Sequence, residues 1–196
     1  MNMYFDSHFK KNVVTLYPGE FFATADDSQY ISTVLGSCIA ITLFDARTKI
    51  GGMNHFMLAR DNRGHADAQA GRFGEYAIEL LLNDMLKRGA KKQHLTAKVF
   101  GGGNIFDSTE DAVVQVGSEN IAFAFDYLER ESIPVKSSNV GGNLPRKIFF
   151  DPKTSRVWLK FIQKRLAAEA MLKKREEEYR SRMKKEEQKA GDIVWF

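Results

Sequence analysis

Cys38 is the single cysteine of this 196-residue chain and closes the segment Thr33-Val34-Leu35-Gly36-Ser37-Cys38. His55 follows in Gly51-Gly52-Met53-Asn54-His55-Phe56. A lone thiol has no internal disulfide partner, so its value lies in packing or in reactivity. A thiol with the ordinary pKa of about 8.5 is mostly un-ionised at neutral pH, and an imidazole that takes its proton makes it a nucleophile. Each residue alone has a plainer reading. A buried strand cysteine is inert in most proteins, and a single histidine is more often a hydrogen-bonded structural group than a base. The pair gains meaning if the chain brings the two together.

A hairpin would do so. Cys38 to Phe44 is rich in β-branched and aromatic residues and predicts a strand. Asp45-Ala46-Arg47-Thr48 opens with a favoured first residue of a type I turn, and a second strand runs from Lys49 to about Leu58. With Ala46 and Arg47 as the central pair, Asp45 faces Thr48, Leu43 faces Ile50, Ala40 faces Met53 and Cys38 faces His55. Opposed residues on antiparallel strands have Cβ atoms about 4.5–5.5 Å apart, within reach of a thiolate–imidazolium contact. An odd-length turn, or a bulge at Gly51-Gly52, would shift the pairing by one.

Around this hairpin, strands are expected near Val13–Leu16, Tyr30–Leu35, Leu95–Phe100, Ile133–Val140, Arg146–Phe150 and Arg156–Ile162, with residues 1–12 as a polar lead-in. Helical spacing of Phe73, Ala77, Leu80, Leu81 and Met85 predicts a helix from Arg72 to Arg88 ended by Gly89. A second helix is expected from Ser118, an N-cap residue, with Ile121, Phe125 and Leu128 on one face. Strands outnumber helices and several are hairpin-linked, which favours an α+β layered sandwich over a doubly wound sheet. Residues 1–162 are expected to form one domain. Residues 163–196 read as a charged helical or disordered tail with i,i+4 pairs such as Glu169–Lys173 and Glu176–Arg180, ending in the aromatic peptide Asp192–Phe196.

The net charge of +4 is concentrated in that tail, where Phe161 to Phe196 holds ten Lys or Arg against seven Asp or Glu. A nearly neutral body disfavours nucleic-acid binding. The chain has no apolar run long enough for a membrane span and no signal-peptide pattern at its start, so a cytoplasmic location is expected. His8 and His94 read as ordinary polar residues, and His65 with Cys38 and His55 matches no zinc spacing, so no metal site is expected. Gly101-Gly102-Gly103-Asn104 lacks the Gly-Lys-Ser/Thr of a phosphate loop, and close backbone approach is the better reading.

Several segments together resemble the chemoreceptor glutamine deamidase (CheD) family: Pro18-Gly19-Glu20, the Thr33–Cys38 and Gly51–Leu58 stretches, Arg72-Phe73, Ala97 to Gly103, Val116-Gly117 with Asn120, Val140-Gly141-Gly142 and Arg146-Lys147-Ile148. The resemblance implies an α/β/β sandwich of mixed or antiparallel strands with helices on one face. It also implies hydrolysis of glutamine side-chain amides on the cytoplasmic helices of chemotaxis receptors, without a cofactor. Cys38 matches the family's nucleophile and His55 its general base. Ser32 stands where the family has its third, hydroxyl-bearing residue, with Thr33 next to it, so two adjacent hydroxyls are available to support the imidazole. Thr33, Gly36, Ser37, Asn54, Gly101 and Gly102 are expected to line the substrate cleft. A second function class is a non-catalytic adaptor that binds receptors or a response-regulator phosphatase through the same cleft.

Overall fold

The computed structural model describes residues 1–58, 68–104, 111–162, 176 and 178–179, with 68–73 and 111–115 as backbone. Ten strands follow in the order β1 (Asn2–Asp6), β2 (Lys11–Thr15), β3 (Phe21–Thr24), β4 (Gln29–Leu35), β5 (Ile39–Asp45), β6 (Ile50–Asn54), β7 (Leu95–Gly101), β8 (Val135–Val140), β9 (Arg146–Phe150) and β10 (Val157–Phe161). Helix α1 (Ala68–Lys87) lies between β6 and β7, and α2 (Asp111–Arg130) between β7 and β8. The strands form two mixed five-stranded sheets, β1-β2-β4-β9-β10 and β3-β6-β5-β7-β8, each with one parallel neighbour pair. Two mixed sheets with two helices make an α+β fold.

The faces of the second sheet follow from the two-residue period of a strand. A Cβ added to Gly52 would fall 2.6 Å from Leu81 of α1, whereas one added to Gly51 would fall 2.5 Å from the carbonyl oxygen of Pro152, between β9 and β10. Gly52 therefore faces the helices and Gly51 faces the first sheet. On β5 the same alternation sends Ile39, Ile41 and Leu43 into an apolar cluster with Ile78, Leu81 and Met85 of α1 and Ala124 and Leu128 of α2. The outer face of the first sheet carries rings instead. Phe9 packs on Tyr30, Phe149 and Trp158 at centroid distances of 5.2, 5.0 and 5.3 Å.

Several elements differ from the sequence expectation. The supposed polar lead-in contains β1, which pairs antiparallel with β2 from Asn2↔Thr15 to Asp6↔Lys11. Its turn is built by the Asp6 carboxylate, which accepts from the N–H groups of His8 and Phe9. The four-residue β3 is too short for its pattern to stand out. Helix α1 begins at Ala68, and α2 at Asp111 instead of Ser118. Gly117-Ser118 resembles a helix start, yet Gly117 sits inside α2 because the helix presses on a loop there. Any Cβ would lie 2.5 Å from the carbonyl oxygen of Gly102. Gly89 does end α1, at φ 105°, with Gly89 N–H donating to Leu86 and Ala90 N–H to Met85, the Schellman pattern. Internal contacts divide the chain into Met1–Gln163 and Lys164–Phe196. The tail's remaining residues, including Asp192–Phe196, lie outside the described ones.

The hairpin register also differs. β5 and β6 pair as Asp45↔Ile50, Leu43↔Gly52 and Thr42↔Met53, and Ile39↔Phe56 continues the same register. The loop is Ala46–Lys49, four residues and not two, closed by Lys49 N–H donating to the Asp45 carbonyl at 2.9 Å with Lys49 at φ 58°. The offset from the expected pairing is two residues, so every side chain keeps its face. Asp45 is fully buried. Burial alone would raise its pKa, but backbone N–H groups of Lys91, Arg47 and Thr48, with His94 nearby, outweigh it and hold the carboxyl below the usual range. An Asp45→Asn side chain would turn a donor toward one of those donors. We expect it to cost about 1–3 kcal/mol in urea unfolding. A depressed folded-state pKa stabilises fully above the unfolded value of about 3.9, so the wild type's advantage should shrink as pH falls below it.

Candidate active site

Cys38 stands where the chain leaves β4 in the first sheet and enters β5 in the second. Three consecutive carbonyls hold this crossing. Gly36 accepts from Gly103 N–H at 2.8 Å, Ser37 from the Asn120 side-chain amide at 2.9 Å, and Cys38 from Gly102 N–H at 2.8 Å. Such contact requires glycine on the facing loop. Gly101 has φ 111°, and a Cβ there would lie 2.1 Å from the Cys38 carbonyl oxygen. Gly101 and Gly102, expected in the cleft, thus lie against the Cys38 backbone.

His55 is held from three sides. Its N–H donates to the Glu20 carbonyl at 2.9 Å and its carbonyl accepts from Gly19 N–H at 2.7 Å, which gives Pro18-Gly19-Glu20 its place in the site. The ring Nδ1 lies 2.7 Å from Thr33 Oγ1, and that hydroxyl also meets the Leu16 carbonyl at 2.9 Å. A hydroxyl has one proton to give. Given to Leu16, it leaves Thr33 as acceptor, so Nδ1 carries the hydrogen of the neutral ring and the basic lone pair is on Nε2.

The hydroxyl at the ring is therefore that of Thr33, and the Ser32 assignment is corrected on this point. Successive strand residues point to opposite faces. Ser32 pairs with Phe149 and faces the outer rings, where its Oγ is buried with no hydrogen-bond partner among the described residues. Asn54, expected in the cleft, also points away. Its Oδ1 accepts from Ile41 N–H at 3.0 Å and its Nδ2 donates to the Ala77 carbonyl of α1 at 3.2 Å. Its place is in the join between β5 and α1.

The hydrogen bond to Thr33 places the His55 ring against the first sheet, and Cys38 ends the Gly36–Cys38 bend immediately before β5. The last pair of the observed register is Ile39↔Phe56, so the expected direct facing of Cys38 and His55 is not the pairing found. Cys38 is 1 % exposed and His55 3 %, so bulk water is held away from the pair.

A third polar group was visible in the sequence only through the resemblance. Asn120 of α2 is fully buried, and besides holding Ser37 its Oδ1 accepts from Leu58 N–H at 2.9 Å. Arg146, 1 % exposed, donates to the carbonyls of Asn139 and Gly141 and to Asn139 Oδ1, bracing the glycine loops. Desolvation lowers its pKa. His94 Nδ1 stands 3.6 Å from Asp45, and His8 lies edge-on to Phe9, both away from this site. His65 lies outside the described residues. Among the described residues no three His, Cys, Asp or Glu side chains group as a metal site, and no helix is long and apolar enough to cross a membrane.

A thiol at the crossing between two sheets of an α+β fold, and an imidazole hydrogen-bonded to a threonine hydroxyl, are residue types that cysteine-dependent acyl chemistry uses. Comparison with known proteins narrows the class. The family model for CheD, chemotactic sensory transduction, matches residues 57–161. A probable chemoreceptor glutamine deamidase CheD 1 of Shewanella oneidensis is 41 % identical over 100 % of this chain and 93 % of its own length. A probable chemoreceptor glutamine deamidase CheD of Methylobacillus flagellatus is 38 % identical over 100 % of this chain and 95 % of its own. One from Caulobacter vibrioides is 47 % identical over 71 % and 72 %. This chain belongs to the CheD family. A solved Neisseria meningitidis protein, NMB0706, aligns at 9 % identity with a TM-score of 0.40 over 62 % of this chain and 53 % of its own, too loose a match to inform the fold.

The Thr33 contact makes a distinction between the two neighbouring hydroxyls. Thr33→Val should slow iodoacetamide alkylation of Cys38 at pH 7 by about tenfold, the order expected when a histidine loses its orienting partner. Thr33→Ser should restore most of the rate and Ser32→Ala should leave it unchanged. Loss of rate in Ser32→Ala alone would reverse the assignment.

Proposed function

We propose that this protein hydrolyses glutamine side-chain amides on the cytoplasmic helices of chemotaxis receptors, giving glutamate and ammonia, with residues 1–162 as the deamidase domain. Family membership supports the reaction, and the observation that carries it to particular atoms is the Thr33–His55 hydrogen bond. That bond supports His55 Nε2 as the base for Cys38. The α/β/β layering implied by the resemblance agrees with a second sheet that meets helices on one face and the first sheet on the other.

In this mechanism His55 Nε2 takes the Cys38 proton and the thiolate sulfur attacks the carbonyl carbon of the amide. A C–S bond forms and the carbonyl π pair moves to oxygen. As the carbonyl re-forms, the C–N bond breaks, and His55 returns its proton so that nitrogen leaves as ammonia. Water, deprotonated by His55, then attacks the thioester and releases the carboxylic acid, which ionises to glutamate, and the thiol. Thr33 keeps Nδ1 protonated throughout and lets the ring carry positive charge between steps. No step calls for a metal or an organic cofactor. Each conversion replaces a neutral side chain by an anion on packed receptor helices, adding repulsion that shifts their signalling equilibrium.

Receptor helices are the partners this reading requires, and a response-regulator phosphatase is a further partner for the same cleft. Mass spectrometry of receptor cytoplasmic fragments after incubation with the protein checks the reading. Wild type should convert specific glutamines to glutamates and Cys38→Ala should convert none. Equal binding of fragments with no conversion by either form would replace the enzyme with the adaptor.

A further inference from the structure

We infer that Asn120 is a positioning residue for the reaction, holding the Ser37–Cys38 peptide so that the Cys38 N–H donates to the oxyanion formed when the thiolate attacks. The inference deepens the deamidase reading and rests on it. Its first observation is the pair of bonds on a fully buried side chain: Nδ2 to the Ser37 carbonyl and Oδ1 from Leu58 N–H, each 2.9 Å. Burying an amide away from water costs about 1–3 kcal/mol unless its groups are met. Here both ends are met by backbone, on segments far apart in sequence, one ending at the nucleophile and the other just after the base.

The second observation is direction. In a trans peptide the C=O and the following N–H point opposite ways, and no peptide bond among the described residues is cis. The Ser37 carbonyl points to α2, on the helix side of the second sheet. The Cys38 N–H is thereby aimed at the other side, where the hydrogen bond to Thr33 places the His55 ring. A tetrahedral intermediate bonded to the sulfur puts its oxygen on that side. The neighbouring carbonyls of Gly36 and Cys38 are held by backbone N–H groups of Gly103 and Gly102. Of the three anchors, Asn120 is the one a substitution can remove.

Asn120→Asp isolates the effect, because a carboxylate can still accept from Leu58 N–H but has nothing to give Ser37. Removing control of one oxyanion donor should lower kcat for receptor deamidation by about 100-fold while KM stays within about twofold. Alkylation of Cys38 by iodoacetamide, which forms no oxyanion, should keep its wild-type pH profile. A folded Asn120→Asp with wild-type kcat overturns the inference, and so does an equal loss in alkylation, which would mean that Asn120 serves only the Cys38–His55 spacing. Asn120→Ser, smaller and neutral, takes the same measurements if the aspartate variant does not fold. A wild type that converts no receptor glutamine sinks the deamidase reading. The Cys38 amide signal in 15N NMR then decides this inference independently: displaced in the variant it supports the peptide's orientation by Asn120, unchanged it refutes it.

Discussion

The hydrogen bond between Thr33 and His55 joins a strand of the first sheet to a residue carried on the second, and the chemistry of the site depends on it. The hydroxyl's own proton is directed to Leu16, on the segment that leaves β2 in the same sheet, so the acceptor it offers the ring is set by the first sheet. The ring's backbone is fixed by the Pro18–Glu20 turn and by the hairpin. Two sheets thus agree on one tautomer. A shift of either sheet along the other would release Nδ1 and leave the position of the basic nitrogen undefined.

Cys38 is held by a different device. Most of its anchors are backbone groups of the Gly101–Gly103 loop, packed so closely that side chains have no room on either surface, as at Gly101 against Cys38 and Gly117 against Gly102. Backbone-to-backbone anchoring gives little freedom for thermal adjustment. Arg146 lies buried behind these loops, with carbonyls and an Asn side chain accepting from its two terminal nitrogens, while its Nε meets no partner among the described residues. Its charge is tolerated because several peptide dipoles point at it.

Much of this was legible in the sequence. The strand–loop–strand pattern from Cys38 to Leu58 was legible, although the observed loop is two residues longer than the pattern suggests. A two-residue offset leaves the faces of the paired residues unchanged. The choice between Ser32 and Thr33 was not legible, because it depends on which face of β4 turns inward, and Tyr30 to Val34 are apolar or small on both faces. Here aromatic packing covers the outer face as the interior covers the inner one. Asn54 was misplaced for a related reason: a polar residue beside a histidine suggests a cleft, yet its two bonds are to backbone of β5 and α1. Asn120 was hidden because one buried amide on a helix leaves no periodic trace. Helix α2 lost its first turns to Gly117, whose meaning lies in a loop that sequence alone does not bring near.

The crossing from β4 to β5 has a consequence for the newly made chain. The peptides around residue 38 are held by residues 102, 103 and 120, so local segments alone cannot build this crossing. Contacts of such long sequence separation form late in folding. During synthesis the sulfur lacks the neighbours that the folded chain gives it. Its surroundings are complete only when the distant segments have met, so they certify that the fold has closed.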